Sequence, residues 1–188
     1  MYKICKTDES LARQRAFEYA LMKELQKNSL KKISVDSLCR QTGISRNSFY
    51  RYFPTKEDAL IALIDHTLMD SSEASVANWN GGSNRELSDL ENFFLFWQEK
   101  KDFLDALTAN NCTMLLLERC SVLYDETNTS QGELSFAEEE ARYTFLIGMI
   151  SAMLRWYRRG FPASAVEMAV ISHNLFSDSF AEMKGLFL

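Results

Sequence analysis

The sequence predicts an all-α protein with an N-terminal three-helix head and a C-terminal helical domain. Apolar residues recur at spacings of three and four along the chain, which is the period of one face of an α-helix. No stretch of useful length alternates apolar and polar residues, as a half-buried strand would. Only 2 prolines occur in 188 residues and 46% of the residues are hydrophobic, so we expect long helices and a packed core.

The first predicted helix covers residues 8–27. Phe17, Leu21 and nearby apolar residues recur on one of its faces. We expect this face to pack on Leu38 and Phe49, which belong to the two helices that follow.

Residues 33–56 predict two short helices joined by a tight turn. Ser34 and Ser45 each precede a helical stretch and suit the N-cap position, where a hydroxyl accepts a backbone N–H. Gly43 can adopt positive φ and so ends the first helix abruptly. Pro54 cannot continue a helix, so the second helix ends by the residue before it. This is the pattern of a helix-turn-helix, whose second helix fits the major groove of DNA.

The second helix carries side chains that suit the recognition of DNA. Arg46, Asn47 and Arg51 are predicted to contact bases, because arginine can bond guanine and asparagine adenine through two hydrogen bonds. Hydroxyl and ammonium groups can hold phosphates and fix the register on the duplex. The predicted phosphate contacts are Ser34, Ser48, Tyr50, Tyr52 and Lys56.

This stretch resembles the DNA-binding signature of the TetR/AcrR family of transcriptional regulators. The residues that carry the resemblance include Ser34, Val35, Leu38, Gly43, Ile44, Ser45, Ser48, Tyr50, Phe53, Lys56, Glu57 and Leu60. The resemblance extends over about residues 8–75. It departs from the family pattern at Asn47, Phe49 and Tyr52, where glycine, leucine and histidine are common, and Arg46 and Asn47 occupy positions that vary with the DNA target.

The charge is divided unevenly between the two parts of the chain. Residues 1–60 hold 12 Lys and Arg against 7 Asp and Glu, a net charge of +5, whereas the remainder holds 9 against 19, a net charge of −10. A DNA-binding surface needs local positive charge, so the overall charge of −5 is compatible with a basic head.

The rest of the chain is predicted to be helical as well. Residues 1–54 form the predicted DNA-binding domain, and residues 55–188 the ligand-binding and dimerisation domain, in which residues 55–77 are the linking helix. Polar loops are predicted at residues 78–84 and 125–132. Long helices are predicted at residues 133–159 and 164–184.

The resemblance implies a homodimer, a palindromic operator in double-stranded DNA and a small-molecule effector. The segment from Gly148 to Pro162 is similar to the end of the regulatory domain in a subgroup that includes an activator of dihydroxyacetone-kinase genes. The expected dimer interface consists of Ile150, Met153, Tyr157, Ala169, His173, Phe176 and Phe180. The expected effector pocket consists of Phe93, Phe96, Trp97, Phe103, Met114, Leu117, Tyr143, Ile147 and Trp156. The same residues could instead form an intramolecular core.

The predicted function is a dimeric repressor that a small-molecule effector releases from DNA. The alternatives are an activator of the same fold, or a DNA-bound protein-interaction module without a small ligand. The sequence has no glycine-rich phosphate loop and no hydrolase or metalloprotease motif, so no enzyme activity is expected. Four cysteines without C-x-x-C spacing and 2 histidines predict neither a metal site nor a cofactor. No apolar run reaches the roughly 20 residues that a membrane span needs, so a cytoplasmic protein is expected.

Overall fold

The computed structural model describes residues 1–77, 85–128 and 135–178, and these residues are largely helical. The predicted loop at 78–84 and the end of the predicted last helix lie outside the described residues. The helices are α1 (Asp8–Leu25), α2 (Val35–Thr42), α3 (Arg46–Tyr52), α4 (Lys56–Ala77), α5 (Arg85–Glu99), α6 (Lys101–Ala109), α7 (Thr113–Asn128), α8 (Phe136–Arg158) and α9 (Ala165–Asp178). No strand occurs within the described ranges, so the predicted all-α fold is confirmed.

The chain divides into two compact units. The first consists of Met1–Leu68 and Asp102–Gly148, and the second of Met69–Lys101 and Met149–Leu188. This grouping differs from the division at residue 54 that the sequence predicts, which stays a prediction.

The first unit contains the three helices of the head, α1, α2 and α3, which pack on one another. Phe17 of α1 lies edge-on against Phe49 of α3, with ring centroids 5.1 Å apart, and against Phe53 at 6.3 Å. Leu38 of α2 is buried with them. The predicted packing of α1 on Phe49 is therefore present, and α1 also packs on α2, the helix that carries Leu38.

In the second unit, α5 packs along α9. The aromatic ring of Phe94 meets Trp156 of α8 edge-on at 5.5 Å, and Trp156 donates its indole N–H to the carbonyl oxygen of Ala163 at 3.0 Å. Phe161 then closes on Trp156 at 4.5 Å. These contacts make the turn between α8 and α9 a well-packed part of this unit.

One predicted loop is partly wrong. Residues 125–132 were expected to form a polar loop, but α7 continues to Asn128. The segment up to Asn128 contains neither glycine nor proline, and the exposed Asp125 and Glu126 do not stop a helix that already has packed turns behind it.

Candidate nucleic-acid interface

The turn between α2 and α3 is built by short-range hydrogen bonds that the sequence specifies. Ser34 caps α2 by accepting the backbone N–H of Ser37 at 3.1 Å, and Ser45 caps α3 by accepting that of Ser48 at 3.2 Å. Gly43 follows α2 in the left-handed region with φ +68°. The predicted helix-turn-helix caps and turn are therefore present at the predicted residues.

The two faces of α3 have different roles because residues four apart lie on the same side of a helix. Phe49, Tyr52 and Phe53 face the core of the head and are buried. The exposed side carries four polar side chains at spacings of one, three and four. These are Arg46, Asn47, Tyr50 and Arg51.

Arg46 is held by two neighbours. Its guanidinium NH1 donates to Oδ1 of Asp36 on α2 at 2.7 Å, and its NH2 donates to the hydroxyl oxygen of Tyr50 at 3.4 Å. The Arg46 guanidinium carbon lies 5.8 Å from the centre of the Tyr50 ring. The hydrogen bond to Asp36 is the main cause that raises the pKa of Arg46, so the group keeps its positive charge.

The predicted phosphate contacts occupy different environments. Ser34 is exposed, Tyr50 is half-exposed, and Ser48 is partly buried, with its hydroxyl 3.1 Å from that of Ser45. Lys56 donates from Nζ to the carbonyl oxygens of Lys31 and Ile33 at 3.2 and 2.9 Å, which leaves one of its three N–H donors for a phosphate.

Tyr52 departs from that expectation. It is 4% exposed and packs beside Phe53 in the core of the head. This burial argues against the phosphate contact predicted for its side chain, because a buried phenol cannot approach a DNA backbone.

The head carries further exposed cations. Lys31, Lys32, Arg40 and Arg51 are exposed. A surface cleft of about 210 Å³ also brings Arg51 together with Lys3 and Arg13. The head therefore presents the local positive charge that phosphate binding requires.

Sequence reasoning missed the acidic partner of Arg46. Asp36 and Arg46 are ten residues apart and meet only because the turn at Gly43 brings α2 and α3 together. No helical or strand period marks such a pair. A search for opposite charges across the turn could have suggested it.

The predicted effector-pocket residues divide between the two compact units. Phe93, Phe96, Trp97 and Trp156 belong to the second unit, and the other five belong to the first. Met114 is 65% exposed, so most of its side chain contacts solvent and does not line an interior pocket. Trp97, Phe103 and Trp156 are buried. The pocket stays a prediction.

The predicted interface residues are also placed differently from one another. Ile150, Met153 and Ala169 are buried within the single chain, whereas Tyr157 and His173 are partly exposed. The side chain of Phe176 and the whole of Phe180 lie outside what the structure describes. Burial within one chain argues against a direct role for the first three in contacts with a second subunit.

Within the described ranges, no group of three or more His, Cys, Asp and Glu side chains is arranged to hold a metal ion. None of the described helices is long and apolar enough to cross a membrane.

Comparison with known proteins finds a family match for residues 20–63. Residues 20–63 match the family described as bacterial regulatory proteins, tetR family. The chain is 39% identical over 70 residues to the HTH-type transcriptional regulator EthR of Mycobacterium tuberculosis (strain CDC 1551 / Oshkosh), a match covering 37% of this chain and 31% of that protein. EthR of Mycolicibacterium smegmatis (strain ATCC 700084 / mc(2)155) is 51% identical over 41 residues, 22% of this chain and 19% of the relative. The matched part thus spans about a third or less of the length of these relatives.

Solved structures extend the likeness of fold to nearly the whole chain. The dihydroxyacetone kinase operon activator DhaS superposes with a TM-score of 0.58 at 20% identity, covering 93% of this chain and 97% of that one. The fatty acid degradation regulator FadR from Bacillus halodurans gives a TM-score of 0.55 at 14% identity, with 94% and 98% covered. At these identities the likeness concerns the fold alone. The helix-turn-helix, with its caps and exposed polar side, lies within the matched residues 20–63, so the head of this chain is similar to that of the tetR family of bacterial regulatory proteins.

Proposed function

We propose that this protein is a sequence-specific DNA-binding transcriptional regulator that acts as a homodimer on a palindromic operator. The observation that carries the proposal is the division of α3 into two faces. Its aromatic side anchors it in the head, and its opposite side presents Arg46, Asn47 and Arg51. A helix of this kind can enter the major groove and present these side chains to base edges.

The proposed contacts fall into two classes. Arg46, Asn47 and Arg51 read bases, while Ser34, Ser48, Tyr50 and Lys56 hold phosphates together with the exposed lysines around them. Phosphate contacts set affinity on every sequence, and base contacts set the preference among sequences.

The proposed dimer uses the exposed sides of α8 and α9. The exposed side of α9 carries Val166, Val170, Ile171 and Leu175, all large apolar residues in contact with solvent in the single chain. On α8, Gly148 is exposed and Ala152 is four residues further on, so a second helix can approach closely there. A two-fold dimer presents two copies of α3, and a palindrome matches that symmetry.

We further propose that a small molecule binds the helical part of the chain and releases the protein from DNA. Support comes from the family resemblance and from the aromatic residues of α5, of which Trp97 is buried and Phe93 and Phe96 are partly exposed. Such a molecule acts by binding the DNA-free arrangement more tightly than the DNA-bound one.

The test is selection of bound duplexes from a random pool at roughly 0.15 M ionic strength. We expect a palindromic motif to be recovered. On that motif, Arg46→Ala should lose roughly 1–3 kcal/mol of discrimination at one base pair of each half-site. The matched control, Lys56→Ala, should weaken binding to all sequences equally, because Lys56 is proposed to hold a phosphate. Failure of the folded, dimeric protein to enrich any sequence would contradict the proposed function.

A further inference from the structure

Arg46 forms an ion pair with Asp36, which a side chain that only contacts bases does not need. Its guanidinium is fixed by the Asp36 carboxylate at 2.7 Å and flanked by Tyr50, although Arg46 and Asp36 are both more than half exposed. Exposed ion pairs contribute little to protein stability. The Asp36–Arg46 pair therefore affects the position of the guanidinium more than the stability of the head.

We propose that Asp36 is a positioning residue for sequence recognition, which holds Arg46 in the orientation that reads a base and keeps it from binding phosphates indiscriminately. This inference rests on the proposed function and deepens it. It assigns to α2 a part in the choice of DNA sequence, whereas the base contacts themselves belong to α3.

The hydrogen-bond inventory of Arg46 is compatible with this role. A guanidinium has five N–H donors, and the contacts to Asp36 and Tyr50 use two of them. Three donors remain, and a guanine needs only two, at O6 and N7. Asp36 can therefore stay bound to Arg46 while Arg46 contacts a base.

The carboxylate also acts through entropy. A free arginine at the surface samples many rotamers, and fixing a flexible side chain on binding costs roughly 0.5–1.5 kcal/mol, a factor of about 2 to 13 in affinity. In this head the restriction is already present before DNA arrives. The gain applies to the sequence that offers an acceptor at the fixed position and not to others.

The charge of Asp36 has the opposite effect on non-specific binding. A carboxylate close to the groove repels the phosphates and neutralises part of the attraction that Arg46 would exert on them. Asp36 is therefore expected to raise discrimination among sequences and to lower the affinity for non-specific DNA.

The variant Asp36→Asn separates these effects from a loss of structure. We expect its affinity for random duplex to rise, and the slope of log affinity against log salt to steepen by about 1, because a neutral amide holds the guanidinium less tightly than the carboxylate and Arg46 can then gain a phosphate contact. Discrimination at the base pair read by Arg46 should fall by about two- to tenfold. A head that had merely been damaged would instead lose affinity for every sequence.

Glu9→Gln is the matched control. Glu9 pairs with Arg13 at 2.6 Å at an exposed site on α1, so this variant also replaces one arginine-paired carboxylate of the head by a neutral amide. It should raise affinity for all duplexes without a change in discrimination, because Arg13 lies outside α3.

The double variant Asp36→Asn with Arg46→Ala tests whether Asp36 acts through Arg46. We expect the Asp36 substitution to leave discrimination unchanged in the Arg46→Ala background. A further change there would mean that Asp36 reads a base itself, and the positioning role would be overturned. Unchanged discrimination and salt slope in Asp36→Asn alone would overturn it as well. If the unmodified protein selects a motif and either contradicting outcome occurs, only the role of Asp36 is refuted. If the unmodified protein selects no motif, both this role and the proposed function are refuted.

Discussion

Arg119 of α7 reaches Asp65 of α4 through two hydrogen bonds of 2.7 Å, and the hydroxyl of Tyr2 donates to the same carboxylate at 2.9 Å. The Asp65 side chain is only 1% exposed. Beside it, Glu18 of α1 lies 2.9 Å from Nδ1 of His66, and both residues are buried. Both buried carboxylates, Asp65 and Glu18, are tolerated because each has a close partner.

Replacing Arg119 by Met should destabilise the protein by about 3–5 kcal/mol, because it leaves the Asp65 charge buried and unpaired. The paired variant Asp65→Asn with Arg119→Met should recover most of this loss, since asparagine is neutral and still accepts from Tyr2. Urea denaturation followed by circular dichroism measures both. Equal stability of the two variants would show that the unpaired charge is not the cause.

The environment of Tyr2 predicts how the stability of the protein depends on alkaline pH. Burial, and then the neighbouring Asp65 carboxylate, raise the pKa of the Tyr2 phenol above its ordinary value near 10. A raised pKa in the folded state stabilises the protein fully below the ordinary pKa, and this contribution is lost as the pH rises above it. The free energy of unfolding should therefore fall as the pH rises above about 10, and less steeply in Tyr2→Phe. Equal slopes in the unmodified protein and in Tyr2→Phe would show that the Tyr2 phenol is not the group responsible.

At the scale of the element, the helix-turn-helix depends on one residue with left-handed backbone geometry. Gly43 has φ +68°, and no heavy atom beyond the two adjacent residues lies within 4 Å of the position that a Cβ would take. A side chain there costs backbone strain only, without a clash.

Gly43→Ala should therefore destabilise the head by about 1–2 kcal/mol, and Gly43→Asn by less, because asparagine tolerates this conformation. Thermal unfolding of both variants measures the order. Equal losses for Ala and Asn would point to packing rather than to backbone strain. DNA affinity should fall in the same order, since the turn sets the angle between α2 and α3 and with it the distance between Asp36 and Arg46.

At the scale of the whole molecule, the exposed apolar residues of α9 predict the state of association. A glutamate in place of Val170 or Ile171 would bring a charge into the proposed interface, where it would be desolvated without a partner. We expect each variant to be a folded monomer at micromolar concentration by analytical ultracentrifugation, and to lose affinity for the palindrome.

Leu95→Glu is the control, because Leu95 is also exposed and belongs to α5. It should leave the dimer intact. Dimers that persist in both α9 variants would contradict the proposed interface.

The sequence determined the elements whose cause is local. The all-α class follows from helical periodicity, and the head follows from the hydroxyl caps at Ser34 and Ser45, the glycine between them and the proline that follows α3. Each of these acts within a few residues, so it can be read without the fold. The choice of Arg46 and Asn47 as exposed polar residues followed from the same period.

Tertiary structure decided everything that depends on distant residues meeting. Asp36 is paired with Arg46, Arg119 with Asp65, and Glu18 with His66 across 10, 54 and 48 residues of sequence, respectively, and no period connects them. The same holds for burial on the long helices, where Ile150, Met153 and Ala169 lie inside the chain and Val170 and Leu175 lie outside. A helix with apolar residues on several sides has more than one face that could be buried, and only the neighbouring helices select which one is.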